Sequence, residues 1–259
     1  MYYIEFLLKF WLTDSKKIMP QLILEHQSAF MLDRLITNNI LVAFETLHYM
    51  RNHCTRKTGF MTLKLDMSKA YNRVEWAYMQ QVLVKMGFHD CWVKLMMECI
   101  TSTTYSVLIN EEPHGHIIPI RGLRQGDPLS PCLFLMCTKG LHGIISSAAS
   151  KDEIRGVSIC RFRHRITHLL FADDSLIFCR DKESECQKLL DLLVIYEGAL
   201  KQKINRSKTN LFFSKSTPQD MQVVIKQTLG VSVIHQYESY LGLPSFIGRS
   251  KKDSFAKIK

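Results

Sequence analysis

Two adjacent carboxylates interrupt an otherwise apolar stretch, and they decide what that stretch of this 259-residue chain can become. Residues 166–170 and 175–179 are β-type runs, and Phe171-Ala172-Asp173-Asp174 lies between them. Two short β runs joined by an acidic pair make a hairpin with negative charge at its tip. Like charges held that close raise one another's pKa unless a cation neutralises them. Oxygen-only ligands on a rigid strand pair suit a hard divalent ion such as magnesium. The same dipeptide also serves as an ordinary solvated turn, so the remaining chain has to decide between the two.

Upstream, residues 60–66 read as a buried strand ending at Asp66, after which Ala70, Val74, Ala77, Tyr78 and Val82 recur at helical spacing. An Asp at the C-terminal end of a strand, just ahead of a helix, can present its carboxylate into a cleft. It can equally cap the helix ahead of Ser68-Lys69-Ala70. Between the two acidic segments lies Arg121-Gly122-Leu123-Arg124-Gln125-Gly126-Asp127-Pro128-Leu129-Ser130-Pro131. Its glycines permit close backbone approach, and Ser130-Pro131 suits the start of a helix.

In this order and spacing the segments resemble the reverse transcriptase domain of plant non-LTR (LINE-type) retrotransposons. The likeness runs from about Gln27-Ser28-Ala29-Phe30 to Tyr240-Leu241-Gly242-Leu243-Pro244 and on to the end of the chain. It takes in the 64–71 segment Lys-Leu-Asp-Met-Ser-Lys-Ala-Tyr, the glycine-bearing segment, Phe-Ala-Asp-Asp, and Gln202 to Thr209. The resemblance implies an α+β fold: a right-hand polymerase palm, with an antiparallel sheet and helices on one face, plus partial fingers. About residues 1–60 are then partial fingers, and about 61–259 palm with intervening fingers elements. Further fingers sequence is expected before residue 1 and the thumb after residue 259, with the endonuclease domain outside the chain.

The implied activity is RNA-directed DNA synthesis, with an RNA template, a DNA primer and deoxynucleoside triphosphates as partners. Two magnesium ions, or manganese in their place, would be held by Asp66, Asp173 and Asp174 and by the backbone carbonyl of Met67. Tyr71 would lie under the incoming sugar; on residue type alone it also passes for a core aromatic. Gln125 and Gly126 would meet template and nucleotide. Lys208 would protonate the leaving pyrophosphate, where a lysine in a basic run is otherwise a solvated charge. Arg121, Arg124, Arg163, Arg165, Tyr240, Leu241 and Gly242 would contact nucleic acid. The sequence departs from the family pattern at Asn72, where Asp is usual, and at Met31-Leu32-Asp33, where small residues are usual. Two readings follow: an active polymerase domain, or a silent remnant that keeps the fold and binds nucleic acid non-specifically.

Composition narrows the classes. A net charge of +10 favours a polyanionic partner. Basic residues cluster at 161–165 and 201–208, so phosphates could approach the acids. The eight cysteines form no C-x-x-C pair and read as buried thiols rather than a zinc or disulfide framework. Residues 1–12 lack a basic start and carry Glu5 and Lys9, which makes a poor signal peptide. No run of 18 apolar residues predicts a membrane span, and nucleus and cytoplasm both stay open. A monomer, or part of a larger element protein, is expected. Helical patterns cover 3–12, 35–52, 69–86, 90–103, 131–149, 182–204 and 217–229, the 182–204 helix with a candidate capping box at Ser184 and Gln187. Strands are predicted at 60–66, 105–110, 116–120, 155–160, 166–172, 175–180 and 209–213.

Overall fold

A computed structural model describes residues 19–23, 27–31, 34–52, 59–159, 165–234 and 240–241. The expected helix over 3–12 therefore lies outside the described residues. Two compact units divide the chain: 1–24 with 69–140 and 196–203, and 25–68 with 141–195 and 204–259.

In the second unit, β1 (Phe60–Leu65), β4 (His168–Phe171), β5 (Asp174–Arg180), β6 (Asn210–Phe213) and β7 (Ser232–Val233) form one sheet in the order β4-β5-β1-β6-β7. All pairs are antiparallel except β6 with β7, a two-residue parallel addition that the sequence pattern did not predict. β1 is hydrogen-bonded on both sides and carries Met61, Leu63 and Leu65, none more than 1% exposed. A helix over Ile36–Asn52, α1, puts Ala43, Leu47 and Met50 on one stripe, as i, i+4, i+7 spacing dictates. That stripe meets Leu169, Leu176, Phe178 and Phe212 in one core cluster. α6 (Gln219–Leu229) ends at Gly230, whose φ of +63° is the left-handed cap glycine favours.

The first unit contains an antiparallel helix pair, α2 (Trp76–Lys85) and α3 (Asp90–Thr101), reversed at Gly87, φ +86°. Phe88 stacks on Trp92 at 4.4 Å across that corner. The helix predicted over 69–86 starts late: Tyr71–Arg73 is a single 3-10 turn, and Val74 and Glu75 are extended. The cause is competition for carbonyls. Tyr71 O accepts from Leu123 N and Val74 O from Gly122 N, both at 2.8 Å, so neither serves an α-helical ladder.

The hairpin of β2 (Tyr105–Ile109) and β3 (Glu112–Ile117) also turns earlier than the sequence suggests, where Glu111-Glu112-Pro113-His114-Gly115 reads as the loop. Asn110 and Glu111, φ +49° and +69°, form the two-residue turn, a primed geometry that matches strand twist. Gly115 then falls next to the register irregularity of the strand pair.

Two long helices, α4 (Ser130–Ser150) and α5 (Glu183–Leu200), contribute residues to each unit. α5 stops four residues before the predicted end, at Lys201, φ +48°. Over 155–160, Val157 makes one bridge to Ile166 rather than a full strand. Among the described residues, α4 alone is long and apolar enough to cross a membrane, and half of its most apolar window is buried in the fold. The described cysteines are all free thiols, with Cys137, Cys179 and Cys186 buried, and burial pushes Cys137 up to about 12.

Candidate active site

Strand register assembles the acids. Leu65 pairs with Ser175 and Phe171 with Asp174. Asp66, one residue beyond β1, therefore comes alongside Asp174, while Ala172 and Asp173 form the two-residue turn of the β4–β5 hairpin. Alternation places Lys64 and Asp66 on the face of β1 that also carries Thr62. Thr62 lies under α1, its hydroxyl donating to Met50 Sδ at 3.2 Å. Farther along that face the cover ends, leaving Lys64, Asp66 and Asp174 half-buried and Asp173 exposed.

Residues 204–209 fix Asp66 from the other side of β1. Its N–H donates to Thr209 Oγ1 at 3.3 Å, its carbonyl accepts from Asn205 N at 2.9 Å, and Met67 bridges Ile204. Lys208 lies in the same turn, its N–H on Asn205 O at 3.0 Å and its side chain exposed. Burial raises the Asp174 carboxyl above its ordinary value of 3.8, Lys64 pulls it down, and Asp173 and Asp66 push it up again. Among the described residues no hydrogen bond or ion pair reaches any of the three carboxylates. No three Asp, Glu, His or Cys side chains among those residues converge on a single ion as they stand. The register and the all-oxygen donor set nevertheless fit a hard divalent cation, because they gather three acids with Lys64 as the one opposing charge that acts on Asp174.

Asp174 then carries a testable stability cost. With a raised folded pKa, the native state binds more protons than the unfolded chain between that value and 3.8, so its contribution to stability grows as pH falls through the window. Above the window the ionised form is the strained one. In metal-free protein, Asp174→Asn is expected to raise the melting temperature at neutral pH, with the gain over wild type shrinking on acidification. Melting curves of both proteins at pH 4 to 7.5 (about the carboxylate-to-neutral range) check it; a lower melting point for Asp174→Asn at neutral pH contradicts it.

Tyr240 is 2% exposed, and its hydroxyl donates to Asn39 Oδ1 at 3.0 Å. Burial raises its pKa, and the nearby Asp174 charge adds to the rise. Leu241 follows in the left-handed region, φ +50°. Sequence reasoning missed Asn39, the partner here, and Ser28, whose hydroxyl accepts from Asn39 Nδ2 at 2.9 Å; the Gln27-Ser28 pair was visible only as the opening of the family likeness.

Tyr71, Gln125, Gly126, Arg121 and Arg124 belong to the first unit. Tyr71 stacks on Phe134 with centroids 4.5 Å apart, and the buried Gln202 donates to Ala70 O at 2.7 Å, next to it. A Cβ on Gly122 would lie 2.8 Å from Asn72 O, so that glycine is fixed by backbone contact. Gly126, φ +87°, has open space where its Cβ would be, and Gln125 is exposed beside it. Asp127 Oδ1 accepts from Leu129 N at 2.8 Å, a turn bond at the entry to α4 where Ser130-Pro131 alone had been expected. Arg121 reaches Glu75 at 3.4 Å, and in the second unit Arg165 reaches Asp152 at 3.7 Å. Arg163 and Gly242 lie outside the described residues.

Residues 8–244 match the family model for reverse transcriptase (RNA-dependent DNA polymerase). An uncharacterized mitochondrial protein of Arabidopsis thaliana is 48% identical over 68 residues, 26% of this chain and 56% of that protein. An uncharacterized 149 kDa protein of transposon TX1 from Xenopus laevis is 25% identical over 202 residues, 75% of this chain and 14% of that protein. The chain thus spans 56% and 14% of the lengths of these relatives. Telomerase from Candida tropicalis, solved with a TWJ fragment of telomeric RNA, has a similar fold: TM-score 0.53 at 14% identity, over 93% of this chain and 35% of that one. With Asp66 and Asp174 brought together at the sheet and the family model matched over residues 8–244, the chain belongs to the reverse transcriptase (RNA-dependent DNA polymerase) family.

Proposed function

We propose that this chain is the polymerase domain of a LINE-type retroelement protein, extending a DNA primer along an RNA template. The observation that carries the reading is the β1–β5 register, which brings Asp66 beside Asp174, with no ion pair to either carboxylate among the described residues and the Lys64 charge acting on Asp174 only at a distance. Asp66, Asp173 and Asp174, with the Met67 carbonyl, would hold two divalent ions, magnesium or manganese. When bound, such a pair activates the attacking 3′-hydroxyl and stabilises charge on the leaving oxygens.

The chain's own groups do the rest. The 204–209 turn and the β4–β5 hairpin hold the carboxylates on backbone, not on flexible loops, so little is lost in orienting them. Lys208, exposed on that turn, would give a proton to the departing pyrophosphate. Gly126 leaves room for an outside group to approach the backbone, and Gln125 offers an amide that can both donate and accept. The exposed basic residues Arg121, Arg124 and Arg165, with Arg163 in the same run, supply the charge that template and primer phosphates require.

Primer extension on an RNA template by the purified chain, with and without magnesium, tests the reading; extension indifferent to divalent ions overturns it. Selection between sugars gives a second check. Tyr71 is held by the Phe134 stack and by its bonded carbonyl, so its ring has a fixed orientation, and in this reading it would form the wall that an incoming sugar meets. Tyr71→Val is expected to keep DNA synthesis and to raise ribonucleotide incorporation by about 100-fold, the effect of removing about 2.7 kcal/mol of steric discrimination. Competition between the two nucleotide types measures it, and an unchanged ratio removes Tyr71 from that role.

A further inference from the structure

Gln27-Ser28-Ala29-Phe30 opens the stretch of family likeness, and nothing in the chemistry above uses it. We propose that Gln27 is a positioning residue: it fixes the turn that carries Asp173 by accepting the Ala172 amide, while Ser28, Asn39 and Tyr240 brace the strand just before it. The inference rests on reading Asp66, Asp173 and Asp174 as a divalent-cation site.

The turn needs holding. Ala172 has φ +51°, a left-handed conformation that a residue with a Cβ adopts only when its surroundings impose it. Gln27 Oε1 supplies that constraint, accepting from Ala172 N at 3.2 Å and from Ala29 N at 3.1 Å. Gln27 is itself immobilised: it is 3% exposed, forms a parallel bridge with Leu170, and its carbonyl accepts from Arg34 Nη1 at 2.6 Å. Leu170 O then accepts from Asn39 Nδ2 at 3.0 Å and Ser28 N at 3.4 Å. Asn39 Nδ2 also reaches Ser28 Oγ at 2.9 Å, and Asn39 Oδ1 takes the Tyr240 hydroxyl.

Gln27, Ser28, Asn39, Leu170 and Tyr240 are buried, with Ala172 and Arg34 half-buried at the edge, so the centre of the network lies in a low-dielectric setting where loss of a bond is costly. None is a carboxylate. The network can act on the metal only through the backbone of residues 170–172, which is how outer-layer hydrogen bonds tune ligand geometry. Among the described residues Gln27 Nε2 has no hydrogen-bond partner, so there the side chain is engaged through its acceptor.

Binding of Mn2+ to the full chain by electron paramagnetic resonance, with hydrogen exchange at the Ala172 amide, tests the proposal. Asp173→Asn should lose Mn2+ binding. Gln27→Met, similar in size without the acceptor, should bind Mn2+ 10- to 100-fold more weakly (roughly the range for outer-layer ligands). Gln27→Glu keeps an oxygen for both N–H groups and should stay within about threefold of wild type. In wild type the Ala172 amide should exchange slowly. Wild-type affinity in Gln27→Met, where Asp173→Asn has lost it, overturns the proposal alone. Unchanged binding in Asp173→Asn overturns the cation-site reading and the proposal with it. Fast exchange at Ala172 in wild type also overturns the proposal, and it does so whether or not Gln27→Met folds.

Discussion

Asp173→Asn is expected to remove RNA-templated primer extension while leaving the fold unchanged. Asp173 sits at the exposed tip of the β4–β5 turn, and among the described residues no partner holds its carboxylate. An exposed side chain without partners contributes little to folding, so the melting temperature should move by no more than about 0.5 kcal/mol in stability terms. Activity is another matter. The substitution keeps the shape and deletes one of three negative charges that face the proposed cations. Charge stabilisation by such ions amounts to several kcal/mol, and about 4 kcal/mol corresponds to roughly a 1,000-fold loss in rate. Asn72→Asp is the control, because Asn72 is exposed and its close contact with Gly122 is through backbone. It should change the rate by less than about threefold, within the ±0.5 kcal/mol of an ordinary surface substitution. Paired measurements of extension rate and melting temperature check both variants. An Asp173→Asn protein that extends primers at the wild-type rate places the chemistry elsewhere.

What the sequence made legible was local. The hairpin around Asp173-Asp174 could be predicted because two β-type runs and an acidic pair are a short-range pattern, and β5 begins within one residue of the prediction. The end of β1 was equally plain, predicted at Asp66 and found at Leu65, since apolar strand character gives way to helical spacing there. The break between Ala70 and α2 was not legible. The 3.6-residue pattern continues through it, and only the Gly122 and Leu123 amides, about fifty positions away in sequence, claim the carbonyls that a helix would need. The hairpin turn at Asn110-Glu111 was missed for a different reason. The whole run from Glu111 to Gly115 read as the loop, whereas Asn110, a residue tolerant of positive φ, was the informative one.

The same distinction runs through the site. Carboxylates announce themselves by type, and Asp66 beside Asp174 follows from register once both strands are known. Gln27, Asn39 and Thr209 do not, because an amide or hydroxyl earns its role only from what the fold brings to it. Asn39 lies within a helix that reads as amphipathic, yet its amide bonds Leu170, 131 positions later. Tyr240 shows the limit of carrying a role across by motif alone. Its hydroxyl is engaged inside the fold, which makes it a brace for the hairpin in the proposal above, whereas the motif suggested only a nucleic-acid contact.

Glu185→Ala is expected to have the largest effect on stability, about 3–5 kcal/mol, the usual cost of removing one partner from a buried ion pair. Glu185 is 2% exposed on the first turn of α5, one residue from the Ser184 that sequence offered as a cap. Its Oε2 accepts from the backbone N–H groups of Arg155 and Arg180, each at 3.0 Å, and its Oε1 pairs with Arg180 Nε. Truncation therefore strands three donors at once: two amides, and a guanidinium whose side chain is only 19% exposed. Set against a total stability of roughly 5–15 kcal/mol, that loss is a large fraction. At about 2–4 °C per kcal/mol for a chain of this size, melting should fall by about 6–20 °C. Glu185→Gln keeps an acceptor oxygen without the charge and should cost less. The position matters for chemistry as well, because Arg180 ends the strand that begins at Asp174. Glu185 anchors β5 at the end away from the acids, so partial loosening should lower extension activity in Glu185→Gln below the melting transition. Thermal melts with activity assays at 25 °C (about the reference temperature of these energies) distinguish the outcomes. A Glu185→Ala protein melting within about 2 °C of wild type, under 1 kcal/mol by the same conversion, contradicts the buried-anchor role.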